Sequence, residues 1–163
     1  MAKTKYLILL VCIVTVFTSC SKKTDNSDDF DSAAQFTKDT TAIRAFIIAK
    51  NIPAIKDAKT GLFYQVLTPG TGNFAYQANS SVTVNYSGSL LDGTVFDTSS
   101  GKPVTFDGLN QLIPAWQIGI PLVQPGGRIR LIVPSALGYG SRVGLPFPPN
   151  SILDFTVDVI SAK

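Results

Sequence analysis

Residues 81–99, SVTVNYSGSLLDGTVFDTS, limit most strongly what this chain can fold into. Val82, Val84 and Tyr86 alternate with Thr83 and Asn85, the period of a strand with one buried face. Asp92-Gly93 follows, a pair that accepts the positive φ angles of a tight hairpin turn. The next strand delivers Phe96 and then Asp97. Two aromatics and one carboxylate therefore leave a single hairpin close together, and the rest of the chain must supply what they face.

Several other segments carry the same period. Residues 61–67 form a strand with Leu62, Tyr64 and Val66 on one side and Phe63 and Gln65 on the other. Pro69-Gly70-Thr-Gly72 is a turn, residues 99–103 a loop, and Val104-Thr-Phe106 a short extended piece. Residues 128–133 place Ile129, Leu131 and Val133 inward and both arginines outward. The last strand, 152–160, turns Leu153, Phe155, Val157 and Val159 inward and Asp154, Thr156 and Asp158 outward. Between Pro114, suited to a first helical position, and Pro121, which cannot continue a helix, there is room for about two turns. That short apolar helix holds Trp116, the only tryptophan. With no repeated βαβ pattern, the elements make an α+β domain, a twisted antiparallel sheet closed over one short helix.

The segment before this domain is organised differently. Lys3 and Lys5 precede an apolar run from Tyr6 to Phe17, well short of the ~20 residues a spanning helix needs. Thr18-Ser19 and Cys20 follow, so residues 1–19 read as a signal peptide. Residues 20–38 read as a flexible tether and 39–60 as a helical preface to the domain at 61–163. In the preface, Asp39 is the expected N-cap, Ile43, Phe46 and Ile47 share a face, and Pro53 marks the end. Such a helix packs on the domain or spaces it; the sharper alternative is a contact helix for dimerisation or for a client.

Composition removes whole classes of chemistry. There is no histidine, which excludes Ser-His-Asp and Cys-His nucleophile systems and most catalytic zinc sites. The only cysteines, Cys12 and Cys20, lie near the N-terminus, so no thiolate metal site or disulfide framework is expected downstream. The net charge of +3 includes Lys3 and Lys5, and a near-neutral remainder argues against nucleic-acid binding.

Read in order, Val82-Thr-Val-Asn-Tyr86-Ser-Gly88, Asp92-Gly93, Phe96-Asp97-Thr-Ser99, Ile113-Pro-Ala-Trp116, Gly119, Gly126, Pro134, Leu137-Gly-Tyr139-Gly140, Pro148-Pro149 and Leu153-Asp-Phe155 resemble the FK506-binding (FKBP-type) peptidyl-prolyl isomerases. The resemblance runs from about Gly61 to Ile160. Phe17-Thr-Ser-Cys20 also resembles a bacterial lipobox, with Phe17 where leucine is commonest and Cys20 as the lipidated residue. An ordinary signal peptide cut nearby is the alternative.

The resemblance implies a half-barrel sheet around the Trp116 helix, with an apolar pocket between them. It implies Tyr86, Phe96, Asp97, Tyr139 and Phe155 as catalytic residues, and Leu112, Ile113, Trp116 and Phe147 as substrate-binding ones. Trp116 would floor the pocket, and the Ile113 N–H and Tyr139 hydroxyl would hold substrate carbonyls. No metal or cofactor is implied. The implied partners are proline-containing polypeptides, FK506-like macrolides and, through Cys20, the membrane at the periplasmic face of the cell envelope. Val104 departs from the family's usual aromatic, Ala115 from its glycine and Phe147 from its aliphatic residue, and the loop from Phe106 to Leu112 is one residue shorter.

Taken without the resemblance, Trp116 and Phe155 suit plain core as well as a ligand wall. Tyr86 suits a core tyrosine with its hydroxyl at the rim, and Asp97 a turn-former. Tyr139, between two glycines, is the least core-like. Bond rotation at X–Pro requires no nucleophile, so a histidine-free chain is compatible with it. Three functions are expected in descending order: an active isomerase for exported proteins, a non-catalytic chaperone or adaptor using the same pocket, and a structural surface lipoprotein.

Overall fold

The computed structural model describes residues Asp31–Lys163. The expected signal peptide, Cys20 and the tether as far as residue 30 lie outside the described residues.

Helix α1 spans Ser32–Ala49, so it starts seven residues before the expected N-cap. Asp31 is the cap; its Oδ1 accepts the N–H groups of Ala33 and Ala34, both at 3.0 Å. This corrects the tether's boundary and the role of Asp39, which lies inside the helix and is buried. The helix ends at Ala49, before Pro53, and Asn51, two residues on, has a left-handed φ of 52°. Its N–H donates to Ile48 O at 3.1 Å and that of Ile52 to Ile47 O at 2.8 Å, which satisfies the last carbonyls.

Among the described residues, seven strands form one antiparallel sheet: β1 (Ile55–Lys56), β2 (Phe63–Thr68), β3 (Ser81–Leu90), β4 (Val95–Thr98), β5 (Val104–Asp107), β6 (Arg128–Val133) and β7 (Leu153–Ala162). The order is β1-β2-β6-β7-β3-β4, with β5 also on β3. The long strand β3 shares one edge between two partners, β5 beside Ser81–Val84 and β4 beside Ser87–Ser89. Gly93, at φ 92°, turns the β3–β4 hairpin, and Asp92 Oδ1 accepts the Thr94 N–H at 2.8 Å.

Alternation sends Val82, Val84, Ile129, Leu131, Val133, Leu153, Val157 and Val159 into one core. Helix α2 (Pro114–Gly119) closes it with Ala115 and Trp116, and a 3-10 turn, Ile120–Leu122, extends the helix past Pro121. Gly119 permits this approach, since a Cβ there would lie 2.5 Å from Leu131 Cδ2.

The opposite face of the sheet is also covered. Ile43 of α1 packs on Phe63 and Ile132, with Phe46, Ile47 and Ile52 beside them. Phe63 is therefore buried, as is Leu62 on the opposite face of the sheet. Asp154 is likewise buried, and Arg130 holds it with Nε–Oδ1 at 2.9 Å and Nη2–Oδ2 at 2.6 Å. The expected helix with Ile43, Phe46 and Ile47 on one face is present and packs on the domain; the face of the sheet that it covers was not legible in the sequence. No helix among the described residues is long and apolar enough to cross a membrane.

Candidate active site

The site grows from α2. Ile113 caps the helix in extended conformation, Pro114 opens it, and Trp116 lies one turn in with 4% of its surface exposed. Three aromatic rings meet the indole edge to face. Tyr86 from β3 lies at 5.3 Å, Phe155 from β7 at 5.5 Å and Phe106 from β5 at 5.7 Å, with interplanar angles of 76°, 85° and 88°. These are favourable quadrupole geometries, so the rings fix one another as well as filling space. The indole Nε1 is buried and meets no acceptor among the described residues.

Above this floor is a cavity of about 250 Å³. Tyr86, Asp97, Leu112, Ile113, Trp116, Tyr139 and Phe155 line it, together with Phe106, Gln111 and Arg142. The first seven are residues expected from the sequence. Phe96 and Phe147 do not line it. Phe96 packs against Phe155 at 5.6 Å and Phe147 at 4.6 Å, with Phe147 reaching Tyr139 at 5.7 Å. Gly88 lets this row of rings close, because a Cβ there would lie 2.6 Å from Phe155 and 2.8 Å from Phe96.

Three lining residues were missed. Phe106 stands two positions after Val104 on β5, so strand alternation was the available signal; its ring supplies an aromatic wall that Val104 lacks. Gln111 immediately precedes Leu112, and Arg142 follows Tyr139 by three residues, and neither position stands out in a loop.

The polar groups are few and directed. The Tyr86 hydroxyl donates to Asp97 Oδ2 at 3.0 Å. Burial and then that carboxylate push the Tyr86 phenol up to about 12. Burial also raises Tyr139, with the Asp97 charge adding to the effect and Arg142 opposing it. Both phenols are thus protonated donors at neutral pH. The Ile113 N–H donates to no acceptor among the described residues, which leaves it free beside the cavity. An apolar floor with isolated donors on its wall can hold a carbonyl-bearing segment and desolvate it. No group of three metal-ligating side chains occurs among the described residues.

Residues 72–160 match the model of the family described as FKBP-type peptidyl-prolyl cis-trans isomerase. The chain is 42% identical over 112 residues to the FKBP-type peptidyl-prolyl cis-trans isomerase FkpA of Escherichia coli, covering 67% of this chain and 40% of that one. It is 42% identical over 123 residues to the outer membrane protein MIP of Legionella longbeachae, covering 73% and 52%. The crystal structure of Escherichia coli FkpA superposes with a TM-score of 0.67 at 38% identity, over 82% of this chain and 61% of that one. The chain spans about half the length of the curated relatives it matches.

Proposed function

The chain belongs to the FKBP-type peptidyl-prolyl cis-trans isomerases, and on that premise we propose that its cavity binds a proline ring against Trp116 and accelerates rotation of the preceding peptide bond. The observation that carries this reading is the arrangement of Tyr86, Phe106 and Phe155 around the indole, with the Ile113 N–H unused beside it.

Amide resonance opposes the rotation, with a barrier of ~18–20 kcal/mol for peptide bonds. No covalent bond is made or broken. The twisted amide has less charge separation than either planar form, so an apolar cavity favours it relative to them. In this reading Trp116, Phe106 and Phe155 supply the apolar surface. The Ile113 N–H and the Tyr139 hydroxyl donate to carbonyls of the bound segment and hold it while the bond turns. Asp97 accepts from Tyr86 and so orients that ring; bond rotation transfers no proton, so a general base has nothing to act on. Phe96 and Phe147 extend the aromatic row and brace Phe155 and Tyr139.

The substrates in this reading are proline-containing segments of exported polypeptides, and FK506-like macrolides compete for the same cavity. We further propose that Cys20 is lipidated and that the domain works at the periplasmic face of the cell envelope. The lipobox-like Phe17-Thr-Ser-Cys20 and the outer-membrane name of the Legionella relative support this.

Refolding of a protein limited by X–Pro isomerisation tests the activity, since that step takes tens to hundreds of seconds unaided. Micromolar amounts of this chain should shorten the slow phase, and an FK506-like macrolide should abolish the gain. An unchanged slow phase would remove the enzyme reading. Fractionation of cells carrying Cys20→Ser tests the anchor: release from membranes is expected, and retention would defeat it.

A further inference from the structure

Asp39 lies within α1, 2% exposed, with no cation among its hydrogen-bond partners. Its Oδ2 accepts the Ser135 N–H at 2.8 Å and the Ser135 hydroxyl at 2.6 Å, and its Oδ1 accepts Gln35 Nε2 at 2.6 Å. A desolvated carboxylate satisfied by neutral donors alone is costly to build, and each lost donor exposes that cost. Ile43, one turn further on, makes a separate apolar attachment of the helix to Phe63 and Ile132.

Ser135 shows what the arrangement holds. It follows β6 and Pro134 and opens the 3-10 turn Ser135–Leu137. Its carbonyl accepts the N–H of Gly138 at 3.0 Å and that of Gly140 at 2.9 Å, the two neighbours of Tyr139. The peptide group that donates to Asp39 also presents the Pro134 carbonyl, which accepts the Leu137 N–H at 2.9 Å. Polarising that peptide strengthens its carbonyl as an acceptor. Asp39 therefore grips the donor side of a turn whose acceptors clamp both sides of Tyr139.

We propose that Asp39 is a positioning residue for the prolyl pocket, holding through Ser135 the turn that carries Tyr139. This rests on the isomerase reading for its kinetic consequence. It makes α1 a structural part of the site, although none of its residues lines the cavity.

The test uses the full chain with Asp39→Asn, read by amide hydrogen exchange and by isomerisation of a short Leu-Pro peptide. The amides of Gly138 and Gly140 should exchange about tenfold faster, while those of Val84 and Val157 in the sheet keep their rates. The turnover number should fall several-fold with KM little changed. In a Tyr139→Phe background the same substitution should have almost no further kinetic effect, because the hydroxyl it positions is gone. Unchanged exchange at both glycines, or kinetic losses that simply multiply, would overturn the proposal. Should Asp39→Asn fail to fold, Ser135→Ala removes only the 2.6 Å bond and is judged by the same outcomes. A wild type without isomerase activity would defeat the functional reading, and the exchange comparison would still decide whether Asp39 holds the turn.

Discussion

The Tyr86 hydroxyl donates to Asp97 Oδ2 across 3.0 Å, joining the two strands of one hairpin at the cavity rim. Burial and this carboxylate raise the Tyr86 phenol from 10.0 to about 12. A phenol whose folded-state value is raised contributes stability that is fully present below its unfolded value and lost as pH rises through the folded one. The wild type should therefore lose stability from about pH 10 toward pH 12 more steeply than Tyr86→Phe does. Asp97→Asn should shift phenolate absorbance of Tyr86 to lower pH. A titration curve unmoved by Asp97→Asn would show that the bond does not bias the phenol.

Trp116 is held by three edge-to-face rings, so its truncation removes both area and aromatic contacts. Trp116→Leu should cost about 2–4 kcal/mol in urea unfolding. Trp116→Phe should cost less, because it keeps an aromatic ring against Tyr86, Phe106 and Phe155. Both should weaken binding of an FK506-like macrolide; undiminished binding to the folded Trp116→Leu protein would remove the indole from the floor.

Gly88 marks a place where a single methyl has no room between Phe155 and Phe96. Gly88→Ala should destabilise by about 1–3 kcal/mol and displace Phe155 from the indole. Aromatic proton shifts in an NMR spectrum would report the displacement. Near-wild-type stability and shifts would contradict so close an approach.

Two ion pairs on the sheet's outer side should behave differently. Asp154 is almost fully buried and bidentate to Arg130, whereas the Arg128–Asp158 contact spans 3.3 Å between side chains 52% and 37% exposed. Asp154→Ala should cost about 2–4 kcal/mol, largely by leaving Arg130 without its partner under α1. Asp158→Ala should cost less than about 1 kcal/mol, and that cost should shrink in salt. Equal costs would mean that α1 does not shield the inner pair.

Much of this was legible because short-range rules decide it. The alternation of Val82, Val84 and Tyr86 is a property of the strand itself, and the prolines around Trp116 bracket the helix locally. What failed depended on distant partners. An aspartate before an apolar helical run looks like a cap whether it caps or is buried, and only Ser135, 96 residues away, distinguishes the two for Asp39. The period-2 pattern sets Phe63 opposite Leu62 and Asp154 opposite Phe155, but that α1 covers this face depends on contacts distant in sequence. Phe106 was overshadowed by the departure at Val104, although the two share a strand and the aromatic wall comes from Phe106. Phe96 and Phe147 belong to the aromatic cluster, and their partners there, Phe155 and Tyr139, are again distant in sequence.

Exchange NMR on a short Leu-Pro peptide addresses the central claim most directly, because it reads binding and catalysis in one sample. With micromolar protein, the cis–trans exchange rate should rise in proportion to protein concentration while the cis fraction stays constant. Peptide resonances that shift on binding while exchange stays at the unaided rate would show a pocket that holds proline without turning the bond, and would contradict the account.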